Sequence, residues 1–277
     1  MASAGTRRHS SGGIRGGVAV ECRVVGTHVV TGAASGLGAA VARRLERDGH
    51  RVIGVDRREA EVVADLGDPR GRARALRAAR ETAGGALDGV VSCAGLGPYE
   101  QADAITRVNF FGAVAILDGL RDALLQRTRP AAVAISSVGG AVDPLLVPEY
   151  LEACHAGDEQ RALEIIAGRD GNTAYVNAKR ALAQAVKRRA LEWGGLGIRL
   201  NAVAPGKMET PMLERLLSDE RHAPAIRALP VPLGRSAAAD EIAGAVVFLL
   251  GPDAGYVHGH VIFADGGTHA LMAPDTM

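Results

Sequence analysis

Thr31-Gly32-Ala33-Ala34-Ser35-Gly36-Leu37-Gly38 follows the apolar run His28-Val29-Val30 and precedes Ala39-Ala40-Val41-Ala42-Arg43-Arg44-Leu45. Apolar β-formers, then glycines, then helix-forming residues read as strand, turn and helix. Glycine at 32, 36 and 38 lets the backbone turn tightly and approach a ligand without Cβ clashes. The helix behind them aims unpaired N–H groups and the positive end of its dipole at that ligand, so the turn is a candidate cradle for a pyrophosphate. The spacing is Gly-x-x-x-Gly-x-Gly rather than the commoner Gly-x-Gly-x-x-Gly. In a chain with 36 glycines such a triplet can arise by chance, so the cradle needs a partner elsewhere.

Arg51-Val52-Ile53-Gly54-Val55-Asp56 supplies that partner, as a second apolar strand ending in a carboxylate. An acid about twenty positions past the glycines accepts hydrogen bonds from the adenosine ribose hydroxyls and repels a 2′-phosphate. Asp56 therefore favours NAD over NADP. Arg57 and Arg58 follow it and could pair with a phosphate, but the glycine loop itself carries no cation.

The alternation continues along the chain. Glu61–Asp65 reads as a third strand, with Asp65 placed to meet the adenine, and residues 70–82 as an Arg- and Ala-rich helix with a solvated face. Gly89–Ser92 is a fourth strand whose carboxyl end turns through Cys93-Ala94-Gly95, with Cys93 read as a small buried side chain. Ala104–Leu125 carries an apolar helical stripe with Asn109 inside it, a polar residue that needs a reason. Ala131–Ile135 is a continuous apolar strand ending in Ser136-Ser137. Ala239–Leu250 reads as another helix and Val261–Ala264 as the final strand. This order predicts an α/β, doubly wound, mainly parallel sheet with helices on both faces.

At 277 residues, with 47% hydrophobic side chains, the chain suits one large α/β domain, residues 26–277, behind a mobile extension at 1–25. The net charge of +1, from 32 basic and 31 acidic residues, gives no electrostatic footprint for nucleic acid or membrane and favours a small-molecule partner. Three scattered cysteines fit a reducing compartment, hence a cytoplasmic protein, and no apolar run approaches a membrane span. His258 and His260 share a strand face without a third ligand nearby, so no metal is expected.

Tyr175-Val176-Asn177-Ala178-Lys179 opens a helix running to about Trp193, which puts Tyr175 and Lys179 one turn apart on one face. A phenol is a poor base at neutral pH, but a neighbouring ammonium stabilises its phenolate, so Lys179 is expected to tune Tyr175. Taken alone, Tyr-x-x-x-Lys is more often a surface pair.

In context the chain resembles the short-chain dehydrogenase/reductase family. In that family a Thr-Gly-x-x-x-Gly-x-Gly loop, a helical Asn, a Ser after the fifth strand and Tyr-x-x-x-Lys occur in this order. Here they match Gly32, Gly36 and Gly38, then Asn109, Ser137, Tyr175 and Lys179. Arg199–Gly206 with Thr210 resembles the nicotinamide-side loop, and Asp265-Gly266-Gly267 the end of the last strand. The resemblance implies a Rossmann-type seven-stranded sheet. It implies catalytic roles for Asn109, Ser137, Tyr175 and Lys179, with Asn109 fixing a relay water. It also implies cofactor contacts from Gly32, Ser35, Gly36, Leu37, Gly38, Asp56, Asp65, Leu66, Cys93, Ala94, Gly95, Tyr175, Lys179, Pro205, Gly206 and Thr210.

Within the family, Cys93–Pro98, Val62–Leu66, the long Ser-to-Tyr interval and Tyr256–Gly259 look like the bacterial 3α-hydroxysteroid dehydrogenase/carbonyl reductase group. That implies NAD-linked interconversion of a secondary alcohol and a ketone, on a small apolar, steroid-like substrate. The alternatives are terpenoid or other cyclic alcohols, or a non-catalytic dinucleotide sensor. Assembly as a homodimer or homotetramer is expected. Residues 144–171 read as a two-helix insertion, with Gly157 and Gly168 as stops, that alters subunit packing. The apolar residues after Gly206, from Met208 to Leu229, read as a lid or as ordinary packing.

Overall fold

The computed structural model describes residues 25–275. The expected extension lies outside them, apart from Val25. Strand β1 (Thr27–Thr31) leads through the glycine turn into α1 (Gly36–Arg47), followed by β2 (Arg51–Asp56) and β3 (Val62–Val63). Next come α2 (Pro69–Thr82), β4 (Gly89–Ser92), α3 (Ala102–Thr106), a π-helical turn (Arg107–Gly112), α4 (Ala113–Leu124) and β5 (Ala131–Ile135). Helices α5 (Pro148–Ala156) and α6 (Glu159–Ile166) precede the long α7 (Gly171–Gly195) and β6 (Arg199–Pro205). The chain ends with β7 (Met208–Glu209), α8 (Pro211–Ser218), α9 (Ala223–Ala228), β8 (Ala237–Ala238), α10 (Ala239–Leu250), β9 (Val261–Ala264) and α11 (Thr268–Met272).

Seven strands form one sheet in the order β3-β2-β1-β4-β5-β6-β9, and every neighbouring pair is parallel. The order reverses between β1 and β4, and the loops leaving their carboxyl ends diverge there, opening a crevice. Alternation along each strand feeds two cores. Val29, Val90 and Ala132 pack on the face covered by α2, α4 and α7, while Val30, Val91 and Val133 face α1 and α10. The expected doubly wound, seven-stranded sheet is the observed one.

Two elements differ from the expectation. β3 is only Val62–Val63, not residues 61–65, because an edge strand has a single neighbour to pair with. The helix predicted over 104–125 is interrupted by the π-helical turn that carries Asn109, a distortion that hydrophobic periodicity does not register. One expected solvated arginine is also structural. Arg72 is buried, donating from Nε to the Leu66 carbonyl at 2.7 Å and forking onto Glu159 of α6 at 2.6 and 2.9 Å.

The 144–171 segment forms its two expected helices, and Gly157 closes α5 in the left-handed conformation. It belongs to the α7-side core. Tyr150, Cys154, Ala162 and Ile166 are buried there, and the Tyr150 hydroxyl donates to Thr106 Oγ1 at 3.1 Å. Asn177 of α7 accepts from Val147 N and donates to the Leu145 carbonyl, each at 2.8 Å, so the segment is stitched to the helix that bears Tyr175.

Candidate active site

The crevice is a cleft of about 660 Å³. Every site residue expected from the sequence lines it except Asn109. At the cradle end, Gly32 and Gly36 adopt φ of +71° and +54°, conformations that a side chain would strain. A Cβ on Gly38 would overlap the Gly32 carbonyl oxygen and stand 2.6 Å from its carbon. Ser35, the residue before α1, makes no side-chain cap, which leaves the first helical N–H groups facing the cleft. Asp56 lies beside them at the tip of β2, accepting from Ala34 N at 3.1 Å and Arg57 N at 2.6 Å. A helix N-terminus, a glycine turn with no room for Cβ and a carboxylate at the next strand tip fit the diphosphate and ribose of a dinucleotide.

Thr31 also shapes this end, a residue the sequence reading used only as part of the loop. Its Oγ1 accepts from Cys93 N at 3.0 Å and Ala94 N at 2.9 Å, fixing the turn after β4 against the cradle. Burial pushes the Cys93 thiol up to about 12, so it behaves as the small inert side chain expected.

At the other end, Ser137 follows β5 and Tyr175 projects from the second turn of α7. Enclosure by the cleft walls raises the Tyr175 phenol above its ordinary value, and its hydrogen bond with Ser137 partly opposes that rise. Lys179 is buried, with Nζ donating to the Ile135 carbonyl at 2.7 Å and standing 5.9 Å from the Tyr175 ring centre. Burial lowers its ammonium to about 8. Desolvation is thus the leading influence on the Tyr175 phenol, and the Ser137 hydrogen bond is the one that lowers it.

Ser136, the neighbouring serine, is buried and commits its Oγ to the Lys179 carbonyl, donating at 2.8 Å. The tip of β5 and the α7 backbone therefore grip each other twice, once through each residue's side chain. Asn109 is fully buried behind the wall. Its amide accepts from Leu96 N at 2.7 Å and donates to Leu96 O at 2.9 Å, so its side chain holds the turn that follows Gly95. Gly95 itself lies between Asn109 and Lys179, a Cβ there meeting Oδ1 of one and Nζ of the other at 3.4 Å.

Cys93, Ala94, Leu96 and Val138 continue the lining toward the substrate end, where Pro98, Val142, Leu145, Met212, Leu213, Leu216, Ile226 and Leu229 make the walls largely apolar. Tyr99, Glu100 and Arg215 sit on its rim. The sequence reading singled out none of these three, because their meeting joins segments more than a hundred positions apart.

Residues 27–157 match the short chain dehydrogenase family and residues 162–269 the family described as enoyl-(acyl carrier protein) reductase. The chain is 42% identical to 3-alpha-hydroxysteroid dehydrogenase/carbonyl reductase of Comamonas testosteroni, over 89% of this chain and 97% of that one. This chain is a short-chain dehydrogenase/reductase. As a member of that family it is an oxidoreductase acting on CH–OH groups, with a nicotinamide dinucleotide as its cofactor. A short-chain reductase protein of Streptomyces niveus is 33% identical over 86% of this chain and 92% of its own length. Among solved structures, the 3-alpha-hydroxysteroid dehydrogenase of Pseudomonas sp. B-0831 complexed with NADH superposes with a TM-score of 0.89. It is 42% identical, with 91% of this chain and 100% of that chain covered.

Outside the cleft, His258 is held by backbone groups on both sides of its ring. His258 accepts from Leu200 N at its Nδ1, at 3.0 Å, and its Nε2 lies 2.7 Å from the Ala190 carbonyl, which requires the proton on Nε2. It is thus a packed histidine. Among the described residues no cluster of three His, Cys, Asp or Glu side chains could hold a metal, and no helix is long and apolar enough to cross a membrane.

The cradle makes a direct prediction for this short-chain dehydrogenase/reductase. Gly38→Ala forces the Gly32 carbonyl aside and should weaken NADH binding by about tenfold to a hundredfold, the scale of an overpacked site. Fluorescence titration with NADH measures it, and circular dichroism confirms that the sheet persists.

Proposed function

We propose that this protein is an NAD(H)-dependent dehydrogenase and ketone reductase for ring secondary alcohols, of the 3α-hydroxysteroid dehydrogenase/carbonyl reductase kind. The observation that carries the reading is the run of apolar residues that lines the same cleft as Tyr175 and Ser137. An alicyclic substrate with its hydroxyl at that pair would bury its rings against Val142, Leu145, Met212 and Leu213. The 42% identity to the Comamonas testosteroni enzyme supports the same substrate class.

The nicotinamide dinucleotide, when bound, supplies the hydride acceptor for oxidation and the donor for reduction. Gly32, Gly36 and Gly38 would hold its diphosphate, Asp56 its adenosine ribose, and Asp65 with Leu66 the adenine. Ser35, Leu37, Cys93, Ala94, Gly95, Pro205, Gly206 and Thr210 would line its length. Ser137 donates a hydrogen bond to the substrate oxygen and orients it. Tyr175, as phenolate, takes the alcohol proton during oxidation, and as phenol returns it during reduction. Lys179 would contact the nicotinamide-side ribose, and Asn109 acts as a positioning residue through Leu96.

Asp56 supports NAD over NADP, since a 2′-phosphate would meet its carboxylate. Replacing Asp56 by Ala should shift the NADP-to-NAD ratio of kcat/KM upward by at least about tenfold, because the like-charge penalty is removed. Exposed Phe248 of α10, Tyr256 and Phe263 of the edge strand β9 support a homodimer or homotetramer, measurable by light scattering. The scattered cysteines support a cytoplasmic location.

Initial rates of NADH formation across 3α-, 3β-, 7α- and 17β-hydroxysteroids and simple cyclic or terpenoid alcohols test the reading. Turnover of a 3α-hydroxysteroid supports it. Turnover of terpenoid or small cyclic alcohols alone removes the steroid, and NADH binding without turnover of any member removes the substrate class and revives the sensing alternative.

A further inference from the structure

We infer that Arg215, with Glu100 and Tyr99, is a latch that fixes the α8–α9 segment over the substrate end of the cleft and thereby sets affinity for bulky apolar substrates. The inference rests on the proposed reading that this end takes the alcohol. The guanidinium of Arg215 stacks over the Tyr99 ring at 4.0 Å, and its Nη1 donates to Glu100 Oε1 at 2.8 Å. Arg215 belongs to α8 and its two acceptors to the loop after β4, so the contact spans the mouth from wall to wall.

The two sides of the latch are unequal. Tyr99 and Glu100 stand on a firm post. Asn109 holds Leu96 through both its amide groups, Glu100 N donates to the Gly97 carbonyl at 3.1 Å, and the Tyr99 ring folds so closely on Gly97 that a Cβ there would stand 2.6 Å from it.

The α8–α9 side is loosely anchored. Leu216 is the only buried residue of α8, and Ala223 the only one of α9. Among the described residues, the bond to Glu100 is the only side-chain hydrogen bond from α8 or α9 to another part of the chain outside their own segment. A segment with so little buried apolar surface opens at low cost, and one polar tie can then govern how often it opens. Met212, Leu213, Ile226 and Leu229 are the part of the cleft lining that this segment supplies. A large apolar substrate uses that wall, whereas a small alcohol at Tyr175 does not.

The latch is exposed, with Arg215 at 57% and Glu100 at 34% of their side-chain surface, so its effect is moderate. Glu100→Gln and Arg215→Met, the latter keeping the apolar stem, should each speed amide hydrogen exchange of residues 211–229 about fivefold in the NADH-bound enzyme. The double variant should exchange no faster than Arg215→Met alone, because without the guanidinium position 100 has no partner left to lose. In the rate assay KM for a multi-ring alcohol should rise by about fivefold with kcat little changed, while KM for a small cyclic alcohol and NADH affinity stay within about twofold.

Unchanged exchange over 211–229 in both single variants overturns the latch, as does an additive double variant or an equal rise of KM for large and small alcohols. The exchange measurement needs no turnover. An enzyme inactive on the whole alcohol panel would sink the substrate reading while leaving the latch to be decided by exchange alone.

Discussion

Tyr175→Phe is expected to lower kcat for alcohol oxidation by about a thousandfold while leaving NADH affinity within about twofold. The ring keeps its packing in the cleft wall, and only the oxygen that carries the proton is lost. Ser137→Ala should be milder, at about a hundredfold, since it removes a hydrogen bond to the reacting oxygen but leaves the base. The pH dependence follows from the site's electrostatics. Burial raises the Tyr175 phenol, so its phenolate grows with pH, and kcat/KM for oxidation should climb from neutral into alkaline solution. Reduction needs the protonated phenol and should not climb with it. Residual oxidation by the Phe variant should lose this rise. Steady-state rates from pH 6 to about 10, with NADH binding as the control, measure the effect. A Phe variant with wild-type kcat would remove Tyr175 from proton transfer.

The second large effect is on stability, far from the cleft. His28 lies at the amino end of β1, is only 4% exposed, and neither ring nitrogen has a hydrogen-bond partner among the described residues. His50 packs edge-on to it at 4.9 Å and is itself committed, its Nδ1 accepting from Gly26 N at 3.0 Å. Asp88 faces the same spot but accepts from Thr27 N at 2.8 Å and pairs with Arg127 at 3.4 Å. Burial, reinforced by His50 and opposed by Asp88, holds the His28 imidazole down at about 4.

A folded pKa below the unfolded 6.5 means that the unfolded chain takes up the proton first as pH falls. Above 6.5 His28 contributes no pH dependence. Between 6.5 and 4 it destabilises the fold progressively, by about 2 kcal/mol at pH 5 and about 3 kcal/mol by pH 4. Urea unfolding of wild type and His28→Leu at pH 7 and pH 5 measures this. The variant should lose markedly less stability than wild type over that interval, and an equal loss would place the acid sensitivity elsewhere.

Much of the molecule was legible in the sequence because two periodicities and a few glycines carry it. Continuous apolar runs at Gly89–Ser92 and Ala131–Ile135 gave strands with their observed bounds, since strands buried on both faces admit little else. The cofactor-side residues were legible because backbone chemistry forces them. Only glycine fits at position 38, and Asp56 stands at the tip of the next strand beside the cradle, as its place in the sequence implied.

What stayed hidden has no local signal. The π-helical turn at Asn109 keeps the apolar stripe while shifting register, so periodicity passes over it. Arg72 looks like any member of an arginine-rich helix until Glu159 of the insertion reaches it. The bond from Lys179 to the Ile135 carbonyl and the burial that raises the Tyr175 phenol likewise exist only once strand and helix are docked. Arg215 and Tyr99 meet through tertiary structure alone.

The double grip between the tip of β5 and α7 has an evolutionary consequence. Ser136 Oγ holds the Lys179 carbonyl, and Lys179 Nζ holds the Ile135 carbonyl. The placement of Ser137 relative to Tyr175 is therefore inherited from strand and helix docking, not from the chain that joins them. The connecting chain packs its own helices α5 and α6 against α7, yet the register of Ser137 against Tyr175 does not depend on how long that chain is. Lineages could remodel the outside of the molecule at this point while the chemistry stayed under separate constraint.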